Sequence, residues 1–225
     1  KIRFYWLSFT VKISTFGFKK MIDIAYYLVS GVVGYLFGSL AFGVWIVNFS
    51  TGRDVRSQGS KKTGMTNVVR IAGLKIGAIV LVLDLVKCIV AVLIARILFE
   101  NYFAESIAAI FAVVGHCWPV FAKFSGGRGT ASGLGALLFL SPVSGLVVIL
   151  VGIILIAFTR YVSLASIVGS ILGIVMMLVM VVFTNQPFEH LIYAVVVSLL
   201  ILFMHKENMQ RLIKGTERKI GNNQS

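Results

Sequence analysis

The sequence has 225 residues, of which 58% are hydrophobic and 13% charged, and its mean hydropathy is +0.96. A water-soluble protein of this length could not cover so much apolar surface, and the apolar stretches lack the alternation of a β-barrel, so an all-α polytopic membrane protein is predicted. The net charge of +13 suggests anionic lipid or an anionic substrate rather than nucleic acid, because basic residues in so apolar a chain mark cytoplasmic loops.

The first twenty residues are predicted to lie outside the fold. They carry five basic residues and no acidic residue, and the first methionine of the chain is Met21. A signal peptide is the alternative, but no small-residue cleavage site precedes the next apolar stretch. We therefore expect residues 1–20 to be a non-native or upstream extension and residues 21–225 to form a single seven-helix membrane domain.

Seven apolar stretches follow, and each is predicted to be a transmembrane helix because the backbone must satisfy its own hydrogen bonds in lipid. Their predicted bounds are 24–49, 74–98, 104–120, 130–140, 143–158, 162–183 and 188–204. The fourth stretch would span only about 16 Å as a helix, so a re-entrant or strongly tilted element is the alternative to a full crossing.

The loops between these stretches differ in charge on the two sides. The loops after the first, third and fifth stretches and the C-terminal tail are basic, whereas the opposite side carries Glu100, Glu105 and Glu189 and no lysine or arginine. Because basic loops stay in the cytoplasm, this asymmetry predicts an N-terminus outside the cell and a C-terminus in the cytoplasm.

A glycine-rich segment, FAKFSGGRGTASGLG (residues 121–135), lies on the basic side and leads into the fourth stretch. Gly126, Gly127 and Gly129 would let backbone N–H groups approach a ligand at a helix N-terminus, which suits phosphate. Arg128 adds a guanidinium that can bind phosphate oxygens bidentately. The alternative is an ordinary turn between helices with a snorkelling arginine.

Two further polar segments lie on the same side. Thr66 and Asn67 precede the second stretch, where they could instead cap the helix. Ser163 and Ser166 begin the sixth stretch, where they could cap it or bond back to its carbonyl groups.

The C-terminal segment opens with His205, and Asn208 and Arg211 follow at a spacing of three, so the three side chains share one helical face. Asp84 and Lys87 lie three residues apart inside the second stretch, where structural pairing is favoured over a direct role in a site.

Several kinds of chemistry are excluded. Asp23, Asp54 and Asp84 are the only aspartates, so no aspartate cluster for magnesium can form, and no metal or cofactor is expected. No histidine has an aspartate five residues later, and no Gly-x-Ser-x-Gly segment occurs. Cys88 and Cys117 lack the spacing of a zinc site or a disulfide framework.

Three segments, in this order, resemble the motifs of the acyl-phosphate:glycerol-3-phosphate acyltransferases, the PlsY family of bacterial membranes. They are GSKKTGMTNVVR (residues 59–70), GHCWPVFAKFSGGRGTASGLG (residues 115–135) and HKENMQRLIKGTE (residues 205–217). The resemblance implies transfer of a fatty acyl group from acyl phosphate to the 1-hydroxyl of glycerol 3-phosphate, which gives lysophosphatidic acid and phosphate and begins phospholipid synthesis. It also implies a multi-pass protein of the bacterial inner membrane with a cytoplasmic active site.

The resemblance also implies roles for individual residues. The acyl phosphate would be held by Ser60, Thr66, Asn67 and the glycines Gly126, Gly127 and Gly129. Glycerol 3-phosphate would be bound and its hydroxyl oriented by Arg70, Arg128, His205 and Asn208. The remaining expected site residues are Ser163, Ser166 and Arg211. The hydroxyl would be activated by His205 or by the substrate's own phosphate, because no carboxylate is well placed in the sequence.

The chain departs from the family pattern at four positions. This chain has Lys61 and Lys62 where family members commonly have glycine and asparagine. It has Ser125 and Arg128 where lysine is usual in the family. A divergent paralogue with an altered donor preference is therefore one possibility. Alternatives from other classes are a small transporter or channel for an anionic metabolite, which should place polar groups near the bilayer midplane, and a non-catalytic partner in lipid synthesis.

Overall fold

The computed structural model describes the backbone of residues 2–221 and the side chains of residues 19–221. Within these residues it contains nine α-helices, one short 3₁₀ turn (Val120–Ala122) and no β-strand, which confirms the predicted all-α fold. The helices are α1 (Ile2–Gly38), α2 (Phe42–Thr51), α3 (Met65–Phe99), α4 (Tyr102–Cys117), α5 (Thr130–Leu140), α6 (Pro142–Thr159), α7 (Val162–Phe183), α8 (Phe188–Met204) and α9 (Lys206–Ile213).

The described residues contain five apolar segments long enough to cross a bilayer: Lys19–Thr51, α3, Tyr102–Ala122, α6 and α7. A sixth results if α8 and α9, which meet at 59°, count as one broken span. The remaining apolar helix, α5, has 11 residues and is too short to cross alone. The seven predicted stretches thus all form helices, while the number of full crossings and the orientation of the termini stay predictions.

Two predicted helices differ from the structure because the backbone breaks inside them. The first predicted stretch is interrupted after Gly38 and resumes as α2. The second begins nine residues earlier than predicted, at Met65, and bends at Gly73, where φ is 85° and ψ is 172°. Glycine adopts this conformation without the steric penalty that a β-carbon would bring. That residues 1–20 are a non-native or upstream extension stays a prediction.

Small residues bring α1 and α4 into close contact. A β-carbon at Gly34 would meet the backbone of Ala108, and one at Gly38 would meet that of Ala112. Membrane helices associate through such close packing because lipid supplies no hydrophobic driving force between them. Towards the C-terminal end of α3, Arg96 pairs with the buried carboxylate of Glu105 at 2.7 Å and ties α3 to α4.

Candidate active site

A cavity of about 190 Å³ lies where the N-terminal ends of α3, α5 and α7 meet the junction of α8 and α9. Three helix N-termini therefore direct the positive ends of their dipoles towards one space, which favours an anion. Eleven of the thirteen expected site residues line the cavity: Ser60, Thr66, Asn67, Arg70, Arg128, Gly129, Ser163, Ser166, His205, Asn208 and Arg211.

The two exceptions, Gly126 and Gly127, do not line the cavity, and their direct contact with phosphate stays a prediction. The Gly127 N–H donates to the carbonyl oxygen of His116 at 3.1 Å, so this amide is already satisfied. A β-carbon at Gly126 would meet the backbone oxygen of His116, and one at Gly127 would meet its ring. Glycine is needed here for close packing on His116. Gly129, at φ 85°, caps the N-terminus of α5 at the cavity.

The side chain of Arg128 makes no hydrogen bond or ion pair with the other residues that the structure describes. Its Nε is buried and has no hydrogen-bond partner among the residues the structure describes. Burial, and then repulsion from Arg211, lowers the pKa of Arg128, although a guanidinium stays charged at any physiological pH. A desolvated cation is costly unless an anion pairs with it. Arg70, Arg211 and Arg128 together give the cavity wall a strongly positive character.

Asn67 shapes the loop before α3 with its side chain. Its Oδ1 accepts from the Ser60 N–H at 2.9 Å, and its Nδ2 lies within 3.1 Å of the carbonyl oxygens of Val55, Gln58 and Lys62. These bonds use both N–H groups of the amide and one lone pair of its oxygen, so Asn67 holds the loop together. Direct contact of Asn67 with the acyl phosphate stays a prediction. The alternative that it caps α3 is wrong, because the N-cap is Gly64 and no side chain bonds to the first turn.

Glu217 organises the C-terminal side of the cavity, a role that was not predicted from the sequence. Its Oε1 accepts from Ser163 Oγ at 2.8 Å and from Asn208 Nδ2 at 2.7 Å, while its Oε2 accepts from Arg211 Nε at 2.7 Å. Burial acts to raise the pKa of Glu217, but these hydrogen bonds hold it below its ordinary value. Glu217 is the last residue of the third sequence segment, and its partners are visible only in the folded structure. Because both of its oxygens accept hydrogen bonds from side chains, activation of the hydroxyl by His205 or by the substrate's own phosphate stays the prediction.

Ser163 and Ser166 have different partners. Ser163 contacts Glu217, whereas Ser166 Oγ donates to the Val162 carbonyl oxygen at 3.0 Å, as the back-bonding alternative predicts. Asn208 retains a buried Oδ1 that has no hydrogen-bond partner among the described residues. This oxygen can therefore accept a hydrogen bond from a ligand hydroxyl.

His205 lies at the bend between α8 and α9 and lines the cavity while only 3% exposed. Its Nδ1 is 2.8 Å from the carbonyl oxygen of Ile201. Because a carbonyl can only accept, Nδ1 carries the proton and Nε2 carries a lone pair. Burial lowers the pKa of His205 to about 4, although its bond to Ile201 opposes the shift, so the ring is neutral near pH 7.

Asp84 and Lys87 form the predicted pair, with Nζ and Oδ1 2.8 Å apart. Asp84 and His116 also line the cavity, which was not predicted from the sequence. Within the described residues, no group of three or more His, Cys, Asp or Glu is arranged to hold a metal.

Known proteins are similar to this chain in sequence and in fold. The family model described as Glycerol-3-phosphate acyltransferase matches residues 28–215. The chain is 38% identical over 196 residues to a glycerol-3-phosphate acyltransferase of Thermoanaerobacter sp. (strain X514), covering 87% of this chain and 96% of that protein. It is 43% identical over 187 residues to one of Desulforamulus reducens, covering 83% and 92%.

Two solved structures have the same fold. The glycerol 3-phosphate form of PlsY, an integral membrane glycerol 3-phosphate acyltransferase, superposes with a TM-score of 0.80 at 36% identity and covers 87% of this chain and 96% of its own. The lysophosphatidic acid form gives 0.76 at 34% identity, covering 87% and 95%. These matches do not favour the transporter alternative. The chain belongs to the glycerol-3-phosphate acyltransferase family of integral membrane proteins.

Proposed function

We propose that this protein transfers a fatty acyl group from acyl phosphate to the 1-hydroxyl of glycerol 3-phosphate, releasing lysophosphatidic acid and inorganic phosphate. The similar PlsY structures are described as glycerol 3-phosphate and lysophosphatidic acid forms, which supports this acceptor and this product. The acyl-phosphate donor rests on the resemblance of the three sequence segments and on the chemistry of the cavity.

The observation that carries this proposal is the half-buried guanidinium of Arg128, whose buried Nε has no hydrogen-bond partner among the described residues, in a cavity also lined by Arg70 and Arg211. Both proposed substrates carry phosphate, and arginine binds phosphate oxygens through paired hydrogen bonds. Two anions that repel each other in water can lie side by side where several fixed cations compensate their charge.

The reaction follows from this arrangement. The 1-hydroxyl oxygen of glycerol 3-phosphate attacks the carbonyl carbon of acyl phosphate and forms the new ester C–O bond. The bond between that carbon and the bridging phosphate oxygen then breaks, and the electron pair leaves with inorganic phosphate. Phosphate is a good leaving group once cations stabilise its charge, so positioning and electrostatic stabilisation supply most of the catalysis.

The proton of the attacking hydroxyl passes to the departing phosphate in this scheme. Burial lowers the pKa of His205 and so opposes protonation of its ring, which favours the phosphate as the proton acceptor in this proposal. Its neutral Nε2 instead accepts a hydrogen bond from the hydroxyl and orients the oxygen for attack. The Oδ1 of Asn208 accepts from the second hydroxyl of the same substrate. A His205→Ala variant with an undiminished rate would exclude the orienting role.

The active site is proposed to face the cytoplasm of the bacterial inner membrane. Basic residues concentrate in the segments that form the cavity, and such residues are typical of cytoplasmic loops. Apolar side chains of Leu81, Leu134 and Val162 complete the wall, so an acyl chain can extend from the cationic region towards the lipid.

The experiment that tests the proposal supplies purified protein with labelled glycerol 3-phosphate and either acyl phosphate or acyl coenzyme A. We expect labelled lysophosphatidic acid only with acyl phosphate. Product formed from acyl coenzyme A alone would refute the donor, and the absence of product with both donors would refute the proposed reaction.

A further inference from the structure

A buried ionic cluster borders the cavity but has no part in the reaction scheme above. It consists of Asp84, Lys87 and His116, which are 2%, 4% and 5% exposed. The Lys87 Nζ donates to Asp84 Oδ1 at 2.8 Å, to His116 Nδ1 at 3.0 Å and to the Leu40 carbonyl oxygen at 2.9 Å. An ammonium group has three N–H donors, so all of them are satisfied inside the protein.

This cluster fixes the orientation of the His116 ring. Because Lys87 can only donate, Nδ1 of His116 is the acceptor and the ring proton lies on Nε2. That side of the ring packs on Gly127, where even a β-carbon would collide with Nε2. The backbone of His116 holds the same residue, since its carbonyl oxygen accepts the Gly127 N–H at 3.1 Å. His116 therefore contacts the residue that immediately precedes Arg128.

A second attachment follows Arg128 in the chain and is made to the backbone of α3 beside the cluster. Ser132 Oγ donates to the backbone oxygen of Asp84 at 3.3 Å. One turn later, Gly135 packs so closely on the backbone of Leu85 that a β-carbon would collide with it. Arg128 thus lies between two anchored points of the chain, one on His116 of the cluster and the other on the α3 backbone at Asp84 and Leu85.

We propose that Asp84, Lys87 and His116 are positioning residues that hold the 126–129 loop, and through it the Arg128 guanidinium, in the geometry that binds substrate phosphate. The inference rests on the proposed function, since it takes Arg128 to bind a phosphate of the substrates. The cluster affects substrate binding only through the position of Arg128. A small displacement of a phosphate-binding group weakens transition-state binding steeply, by up to about 100-fold for 1 Å.

The Arg96–Glu105 pair provides a matched control. It also joins α3 to α4 through a buried carboxylate, but it lies 12 residues beyond Asp84, or about 18 Å along the helix. Neither Arg96 nor Glu105 lines the cavity. A purely structural effect of breaking a buried ion pair should therefore appear equally in Glu105→Gln, whereas a positioning effect should not.

The test compares His116→Ala, the neutral pair Asp84→Asn with Lys87→Met, and Glu105→Gln. Removing both charges together avoids leaving one buried without a partner, which keeps the second variant foldable. For each variant, kcat and KM for glycerol 3-phosphate are measured with the folded fraction, and the affinity for glycerol 3-phosphate is measured without any acyl donor.

We expect His116→Ala and the neutral pair to raise KM and weaken binding by about 10-fold to 100-fold, with a smaller change in kcat, and Glu105→Gln to leave KM unchanged. In an Arg128→Ala background, His116→Ala should cost nothing further in kcat/KM, because it acts through the missing guanidinium. An unchanged KM in folded cluster variants, or additive losses in the double variant, would overturn the inference. The donor-free binding measurement decides it even if acyl phosphate proves to be the wrong donor.

Discussion

At the scale of single residues, the backbone of Lys61 lies in the left-handed region, with φ 56°. This conformation brings the β-carbon close to the following carbonyl oxygen, at a cost of roughly 1–2 kcal/mol for a residue other than glycine. Glycine is the common residue at this position in the resembling family, which agrees with the backbone geometry. The sequence departure at Lys61 therefore has a structural consequence in the loop that Asn67 holds together.

Replacing Lys61 with glycine should remove this strain. We expect Lys61→Gly to raise the free energy of unfolding by about 1 kcal/mol, less than the full strain because glycine also gains freedom in the unfolded chain. Thermal unfolding in detergent measures the change. Lys62→Gly is the matched control, since Lys62 is not among the residues with positive φ and should gain no stability. An equal or lower midpoint for Lys61→Gly would contradict the strain argument.

For individual side chains, membership of the site could be predicted from the sequence, but hydrogen-bond partners could not. The polar residues of the cavity could be selected because glycine, arginine and histidine in basic loops suggest phosphate chemistry. The hydrogen-bond partners of these residues could not be predicted. Asn67 bonds to three carbonyl groups and one N–H of its own loop. Glu217 bonds to three residues from two helices. Such pairings depend on distances between segments that are remote in sequence.

At the scale of elements, the bend between α8 and α9 directs the last part of the chain back across the cavity. The segment after α9 is attached through Glu217 and through the Ile220 N–H, which donates to the Arg160 carbonyl oxygen at 2.9 Å. Glu217 therefore both fixes the tail and orients Asn208 and Arg211.

Neutralising Glu217 should release this tail. We expect Glu217→Gln to weaken its docking by about 1–3 kcal/mol, the usual range for a hydrogen bond to a charged group, and to speed tryptic cleavage after Lys214. Glu207→Gln is the control, because Glu207 is exposed on α9 and makes no hydrogen bond or ion pair among the described residues. Equal cleavage rates for the wild type and both variants would contradict the role given to Glu217.

The same carboxylate sets a pH dependence. A pKa held below its ordinary value of 4.5 means that ionised Glu217 stabilises docking fully above that pH and loses the effect as pH falls through the lowered value. Amide hydrogen exchange of the tail, corrected for its intrinsic pH dependence, should therefore show constant protection from pH 8 to about 5 and a loss only at more acid pH.

Helix positions were largely predictable from the sequence, because apolar length is the dominant constraint on a membrane-spanning segment. The bounds of α5, α7 and α8 agree with the predicted ones. The break after Gly38 and the bend at Gly73 were not predicted, since glycine within an apolar run is compatible with either a straight or a bent helix.

At the scale of the whole molecule, the cavity is built from segments separated by more than 150 residues of chain, from Ser60 to Arg218. Residues of the three polar segments line one space, as they must if they act on the same substrates. From the sequence, this meeting is predicted by the shared sign of the loop charges and by the resemblance of the three segments to the motifs of one family. The proposed cytoplasmic location of that space can be tested directly.

Cysteine labelling should report the orientation. The native Cys88 and Cys117 are 0% and 1% exposed, so the unmodified protein serves as a blank for a membrane-impermeant thiol reagent. We expect the reagent to label Asn185→Cys in intact cells and Ser57→Cys only after permeabilisation; both positions are exposed. The reverse pattern would show that the cavity faces the other side of the membrane.

The central claim is that polar groups from three distant segments bind and position the two substrates together. The most direct measurement is the initial rate of lysophosphatidic acid formation from acyl phosphate and subsaturating glycerol 3-phosphate in Arg70→Ala, Arg128→Ala and Asn208→Ala, one variant per segment. We predict that each folded variant loses about 100-fold or more in rate, as expected when a group that stabilises charge or orients a substrate is removed. A variant from any one segment that keeps the wild-type rate would contradict the claim.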